Sequence, residues 1–129
     1  MKSAAWKRAT TAGTAWETGT DIMKYDKLVR DRIPEIIRAT GKECHCRVLS
    51  DEEYLARIDQ KLGEELAEYL DGHEMEELAD LLEVIRAAAE ARGMSMAQIE
   101  AIRAEKARKR GAFAEKILLT EVFDPKEKI

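Results

Sequence analysis

The feature that most constrains this chain is a pair of apolar stripes at helical spacing on either side of one break. Leu55, Ile58, Leu62, Leu66 and Tyr69 precede Asp71-Gly72, and Leu78, Leu81, Leu82, Ile85 and Ala89 follow it. At about 100° per residue each set lies along one side of a helix, so both stripes are expected to face a core. The glycine break lets the two helices fold back antiparallel. Glu65 and Glu68 lie roughly 55° and 115° to one side of the first stripe, and Glu77 and Asp80 roughly 85° and 145° to the same side of the second. Glu68 and Glu77 can sit level beside the turn, with Glu65 and Asp80 one helical turn further on, which converges four carboxylates on one site.

Like charges at this density raise one another's pKa and oppose folding unless a cation neutralises them. An oxygen-only ligand set favours Mg²⁺ or Mn²⁺, and the E-x-x-H signature of a ferritin-like di-iron site is missing. On the same wheel Glu64, Glu76 and Glu83 project toward solvent or another subunit. The surrounding charge pattern fits a metal bound to a polyphosphate: Asp51 to Glu83 is strongly acidic, while Lys24, Lys27, Arg30 and Arg32 precede it and Arg103, Lys106, Arg108, Lys109 and Arg110 follow. Lys27, Arg30, Lys106 and Arg110 are the candidates for gripping phosphate oxygens. Solvated helix faces are the alternative reading of the same charges.

The remaining signals are also helical. Asp31 is expected to cap a helix over about 32–40 that carries Pro34 in its first turn and closes at Gly41. Ser50 with Glu53 forms an S-x-x-E box opening the helix that runs to Asp71 and ends at Gly72. The next helix, about 74–92, stops at Gly93, and Ser95 with Gln98 opens a fourth that ends near Arg110-Gly111. An extended connector, KECHCRVLS, lies between the first two, and FAEKILLTEVF is ambiguous between strand and helix. Residues 1–22 have no helical apolar period and read as a mobile extension. The folded domain is expected over 23–123, with 124–129 as a tail.

Composition agrees with an all-α fold. The chain has 129 residues, 45% hydrophobic but only 5% aromatic, with 37% charged residues and two prolines, a balance that disfavours a sandwich or barrel. A net charge of -4 argues against a nucleic-acid-coating protein. No apolar run is long enough to span a membrane, and two cysteines without a secretory signal suit a reducing cytoplasm. Cys44, His45 and Cys46 lack the further ligands of a zinc site, since the only other histidine is His73. They are expected to alternate along an extended segment, with Cys44, Cys46 and Val48 on one face.

Four stretches together, KYDKLVRDRIPEII, GEELAEYL, EELADLLEVI and EKARKRGAFAEKILL, resemble the MazG-like all-α nucleoside triphosphate pyrophosphohydrolases, in particular the small branch related to phosphoribosyl-ATP pyrophosphohydrolase. The resemblance spans about Lys24 to Val122. It places the family's metal-binding E-x-x-E and E-x-x-D on Glu65, Glu68, Glu77 and Asp80, with Glu64 beside them. It implies Mg²⁺-dependent hydrolysis of a nucleotide between its α and β phosphates, to a nucleoside monophosphate and pyrophosphate, with possible clearance of noncanonical nucleotides. Glu64 or Glu68 would accept the proton of the attacking water. It also implies a four-helix core completed by a homodimer or higher homo-oligomer. Only eight residues separate Glu68 from Glu77, a shorter interval than the family's usual one. Phosphoribosyl-ATP hydrolysis is the enzymatic alternative, and a non-catalytic helical oligomerisation or regulatory module is the alternative of another class.

Overall fold

The computed structural model describes residues 26–126; the extension expected over 1–22 lies outside them. Among the described residues there are four helices and no strand: α1 (Ile33–Ala39), α2 (Asp51–Gly72), α3 (Met75–Ala91) and α4 (Met96–Arg110). No helix among these residues is long and apolar enough to cross a membrane. The chain falls into two compact units divided between Met94 and Ser95.

The first unit is built on α2 and α3, which form its extensive helix–helix contact. Ser50 opens α2 with a complete capping box: the Glu53 N–H donates to Ser50 Oγ at 3.1 Å and the Ser50 N–H to Glu53 Oε1 at 3.1 Å. Arg47 forks onto the same carboxylate at 3.2 and 3.1 Å. The turn into α3 is one residue later than the glycine suggested. Gly72 remains helical, and the left-handed residue is His73, whose φ is 56° and whose N–H donates to the Tyr69 carbonyl at 2.6 Å. Its ring meets Tyr69 edge-on at 5.2 Å, a contact that offsets the cost of a left-handed non-glycine residue. At the far end α3 closes in a Schellman motif, with Gly93 at φ 87°, its N–H on the Glu90 carbonyl and the Met94 N–H on Ala89.

Helix α1 starts without a side-chain cap. Its N-cap position is Arg32, not Asp31, because a backbone bond from the Ile33 N–H to the Arg30 carbonyl at 3.1 Å already satisfies an N-terminal donor. Pro34 lies in the first turn as expected, and Gly41 closes the helix at φ 91°. The segment before α1 runs across the hairpin: Arg57 of α2 donates to the Asp26 carbonyl at 2.9 Å, and Arg30 reaches Asp80 of α3. The connector 42–49 is irregular, with the Cys44 and Cys46 sulfurs 4.0 Å apart but Val48 almost fully exposed.

The expected packing face is corrected by the structure. The buried residues of α2 are Ile58, Lys61 and Glu65, and those of α3 are Glu77 and Val84; Leu66, Leu70, Leu78 and Leu82 are exposed. The contact is turned toward the acids because two helices bury only a narrow arc of each other. With Glu65 and Glu77 pointing inward, Leu66 and Leu78 lie roughly 100° round and Leu70 and Leu82 roughly 140°. Since α3 runs antiparallel to α2, equal rotations fall on the same side of the pair. The hairpin therefore has an apolar side bearing these leucines and an acidic side bearing Glu64, Glu68 and Asp80.

In the second unit, Ser95 and Gln98 make the expected box at 3.1 and 2.8 Å, and α4 ends at Gly111 with φ 81°. Within α4, Arg103 forks onto Glu100 and Arg108 onto Glu105. FAEKILLTEVF is neither helix nor strand, and Phe113, Ile117, Leu118 and Leu119 are exposed.

The Arg47 fork and the Ser50 N–H hold the Glu53 carboxyl down at about 2. A depressed carboxyl stabilises the fold above its unfolded value, about 4.3, and that contribution is lost as pH falls toward 2. Ser50→Ala is expected to cost about 1 kcal/mol in urea unfolding at pH 7. Glu53→Gln should flatten this part of the acid transition followed by circular dichroism.

Candidate metal centre

Helical periodicity brings the acids together in the α2/α3 seam. Glu65, Glu77 and Asp80 each offer one carboxylate oxygen, and these atoms lie within 4.8 Å of one another. Glu65 and Glu77 are each only 5% exposed, and Asp80 stands at the acidic edge with its side chain 24% exposed. Glu65 Oε1 is buried and accepts no hydrogen bond among the described residues. A buried carboxylate oxygen left in this state is costly, and a hard cation is the ligand that would complete it. The triad can therefore hold a metal ion, and its all-oxygen donor set suits a hard divalent one.

Two further acids flank the triad. Glu68 is half-buried outside it, close enough for its charge to act on Glu65, and its Oε1 is buried. Glu64 lies beside Lys61, at 3.5 Å from Nζ. Lys61 is the residue that the sequence reading missed. It is buried, and its ammonium also sits 3.4 Å from Glu65 Oε2. Its spacing of three and four residues from two acids on one helix carried the signal. Burial pushes the Glu65 carboxyl above its ordinary value; Lys61 pulls it down, while the Glu68 and Asp80 charges push it up.

The candidate phosphate-binding cations divide. Arg30 is at the site, donating from Nη2 to Asp80 Oδ1 at 2.7 Å. Lys27 lies three residues earlier on the same segment and is exposed. Lys106 and Arg110 stand exposed on α4 in the second unit, Arg110 as its last residue. Lys27, Lys106 and Arg110 form no ion pair among the described residues, whereas Arg103, Arg108 and Lys109 are engaged within α4.

A Mycolicibacterium smegmatis protein described as uncharacterized is 62% identical to this chain over 42 residues. The match spans 33% of this chain and 43% of that relative, so less than half of the relative is covered. No family model matches the chain, and no solved structure matches it.

A raised carboxyl means that the fold disfavours the ionised form even with Lys61 alongside. That penalty is present above the folded pKa and is relieved as pH falls through it and Glu65 takes up a proton. Glu65→Gln mimics the relieved state. In chelator it is expected to raise the melting temperature. The same variant should lose the stabilisation that a divalent cation gives the unaltered chain, read by thermal unfolding with and without the ion.

Proposed function

We propose that this chain is a divalent-metal-dependent nucleotide pyrophosphohydrolase, cleaving a nucleoside triphosphate between its α and β phosphates to release pyrophosphate. The observation that carries the reading is the convergence of Glu65, Glu77 and Asp80 in the α2/α3 seam, with the Glu65 Oε1 acceptor buried and unsatisfied. The motif order that resembles the MazG-like enzymes supports the same chemistry. Mg²⁺, with Mn²⁺ as a substitute, is the ion that the oxygen donors favour.

When bound, the metal supplies neutralisation of phosphate charge and a lowered pKa for the attacking water. The chain's own residues do the rest. Glu65, Glu77 and Asp80 would hold the ion, and the burial of Glu65 and Glu77 away from water would strengthen their grip. Glu68 or Glu64 takes the water's proton, and the pH–rate profiles of Glu68→Gln and Glu64→Gln tell them apart. Lys27 and Arg30 stabilise the phosphate chain and the departing pyrophosphate. The balance is one water consumed, one anhydride bond broken and one proton released.

Self-association belongs to this reading. Leu66, Leu70, Leu78 and Leu82 are 38–57% exposed on one side of the hairpin, and Met75 is 67% exposed. A second copy covering that side would complete a four-helix core. Replacing Leu78 and Leu82 together with Asp should convert the oligomer to monomer in light scattering, while a monomeric unaltered protein would remove this part of the reading.

The deciding assay is pyrophosphate release from ordinary and modified nucleoside triphosphates and from phosphoribosyl-ATP, with and without Mg²⁺. Metal-dependent release is expected, and Asp80→Ala or Glu65→Ala should lower it by at least 100-fold, about 2.7 kcal/mol of barrier. A folded protein that releases no pyrophosphate from any of them and binds no divalent ion is a regulatory or oligomerisation module instead.

A further inference from the structure

Lys61 and Arg30 both contact the acid cluster, and they are held very differently. Lys61 has a side chain only 11% exposed, on the same helix as Glu64 and Glu65 and within 3.5 Å of both. It is a fixed part of the seam. Arg30 comes from a segment 50 residues away in sequence, is 57% exposed, and touches Asp80 through a single nitrogen–oxygen pair at 2.7 Å. Among the described residues that bond is its one side-chain hydrogen bond, so little there fixes the guanidinium in place.

We infer that Arg30 is a displaceable counter-ion, holding Asp80 while the cluster lacks a metal and passing to a substrate phosphate when a divalent cation takes the carboxylate. The inference rests on the reading proposed above. Its basis is a conflict at one side chain: Asp80 is both a member of the ligand triad and the partner of a guanidinium. The buried, unsatisfied Glu65 Oε1 points independently to a ligand in the same cluster. A cation held by Glu65, Glu77 and Asp80 would repel Arg30, which shares Asp80 with it. Arg30 is exposed enough to swing away without unpacking the seam. A guanidinium displaced at the metal's edge is positioned for phosphate oxygens, whose geometry its planar fork matches.

The two roles give effects of opposite sign. Arg30→Gln should bind Mn²⁺ about 5- to 10-fold more tightly than the unaltered chain when no nucleotide is present, the scale of a modest coupling between two ligands. With Mn²⁺ saturating, the same variant should bind inorganic tripolyphosphate several-fold more weakly. Titration calorimetry on the full chain reads both, and tripolyphosphate supplies the phosphate chain without choosing a base. Arg30→Lys keeps the positive charge and should retain metal affinity near the original value. Circular dichroism confirms that both variants fold.

Tighter metal binding by Arg30→Gln with weaker tripolyphosphate binding supports the inference, as does Mn²⁺ binding by Arg30→Gln alone. An unaltered protein that binds Mn²⁺, with Arg30→Gln binding it no more tightly, overturns the inference and leaves the hydrolase reading standing. Metal affinity raised equally in the lysine and glutamine variants also overturns it, because charge would not be the cause. Absence of Mn²⁺ binding in every variant overturns both.

Discussion

The burial of Lys61, Glu65 and Glu77 between α2 and α3 is the constraint on which the rest of this structure depends. Three ionisable side chains occupy a seam whose buried apolar residues on these two helices are only Ile58 and Val84. Removing charges from water costs several kcal/mol per ion unless they are paired. Lys61 offsets part of that cost, but burial still pushes the Glu65 carboxyl up, with the Glu68 and Asp80 charges adding to it. A helix pair built only for stability would present its leucines to one another instead.

The leucine side follows from the same choice. Turning the acids inward turns Leu66, Leu70, Leu78 and Leu82 out, and antiparallel packing gathers them on one side. The hairpin thereby separates two kinds of surface on the same two helices. One side is apolar and suited to covering by another helix pair; the other carries Asp80, Glu64 and Glu68 and receives Arg30. In the proposed reading, chemistry and assembly would use opposite sides of the hairpin without competing for the same residues.

Charge around the cluster is graded from inside to outside. Lys61 is enclosed and bound within its own helix, so it serves folding as much as the site. Arg30 arrives on the segment that crosses the hairpin from Asp26, and its exposed position makes its partner exchangeable. The short first helix and its flanking turn matter chiefly because they carry this arginine to Asp80.

Much was determined by sequence alone wherever the physics is local. The capping boxes at Ser50–Glu53 and Ser95–Gln98 form as read, because both partners lie within one turn of helix. Periodicity and the short turn placed Glu65, Glu68, Glu77 and Asp80 on neighbouring turns of the two helices, but Glu68 stands outside the triad that converges. The helix stop at His73 and the N-cap at Arg32 shifted by one residue each, since backbone bonds and a ring contact with Tyr69 decided between neighbouring candidates. Tertiary structure alone decided which arc of each helix is buried: a helical wheel fixes angles between side chains but not the direction of the partner helix. It also decided the Arg30–Asp80 bond, which joins residues 50 positions apart and has no local signature.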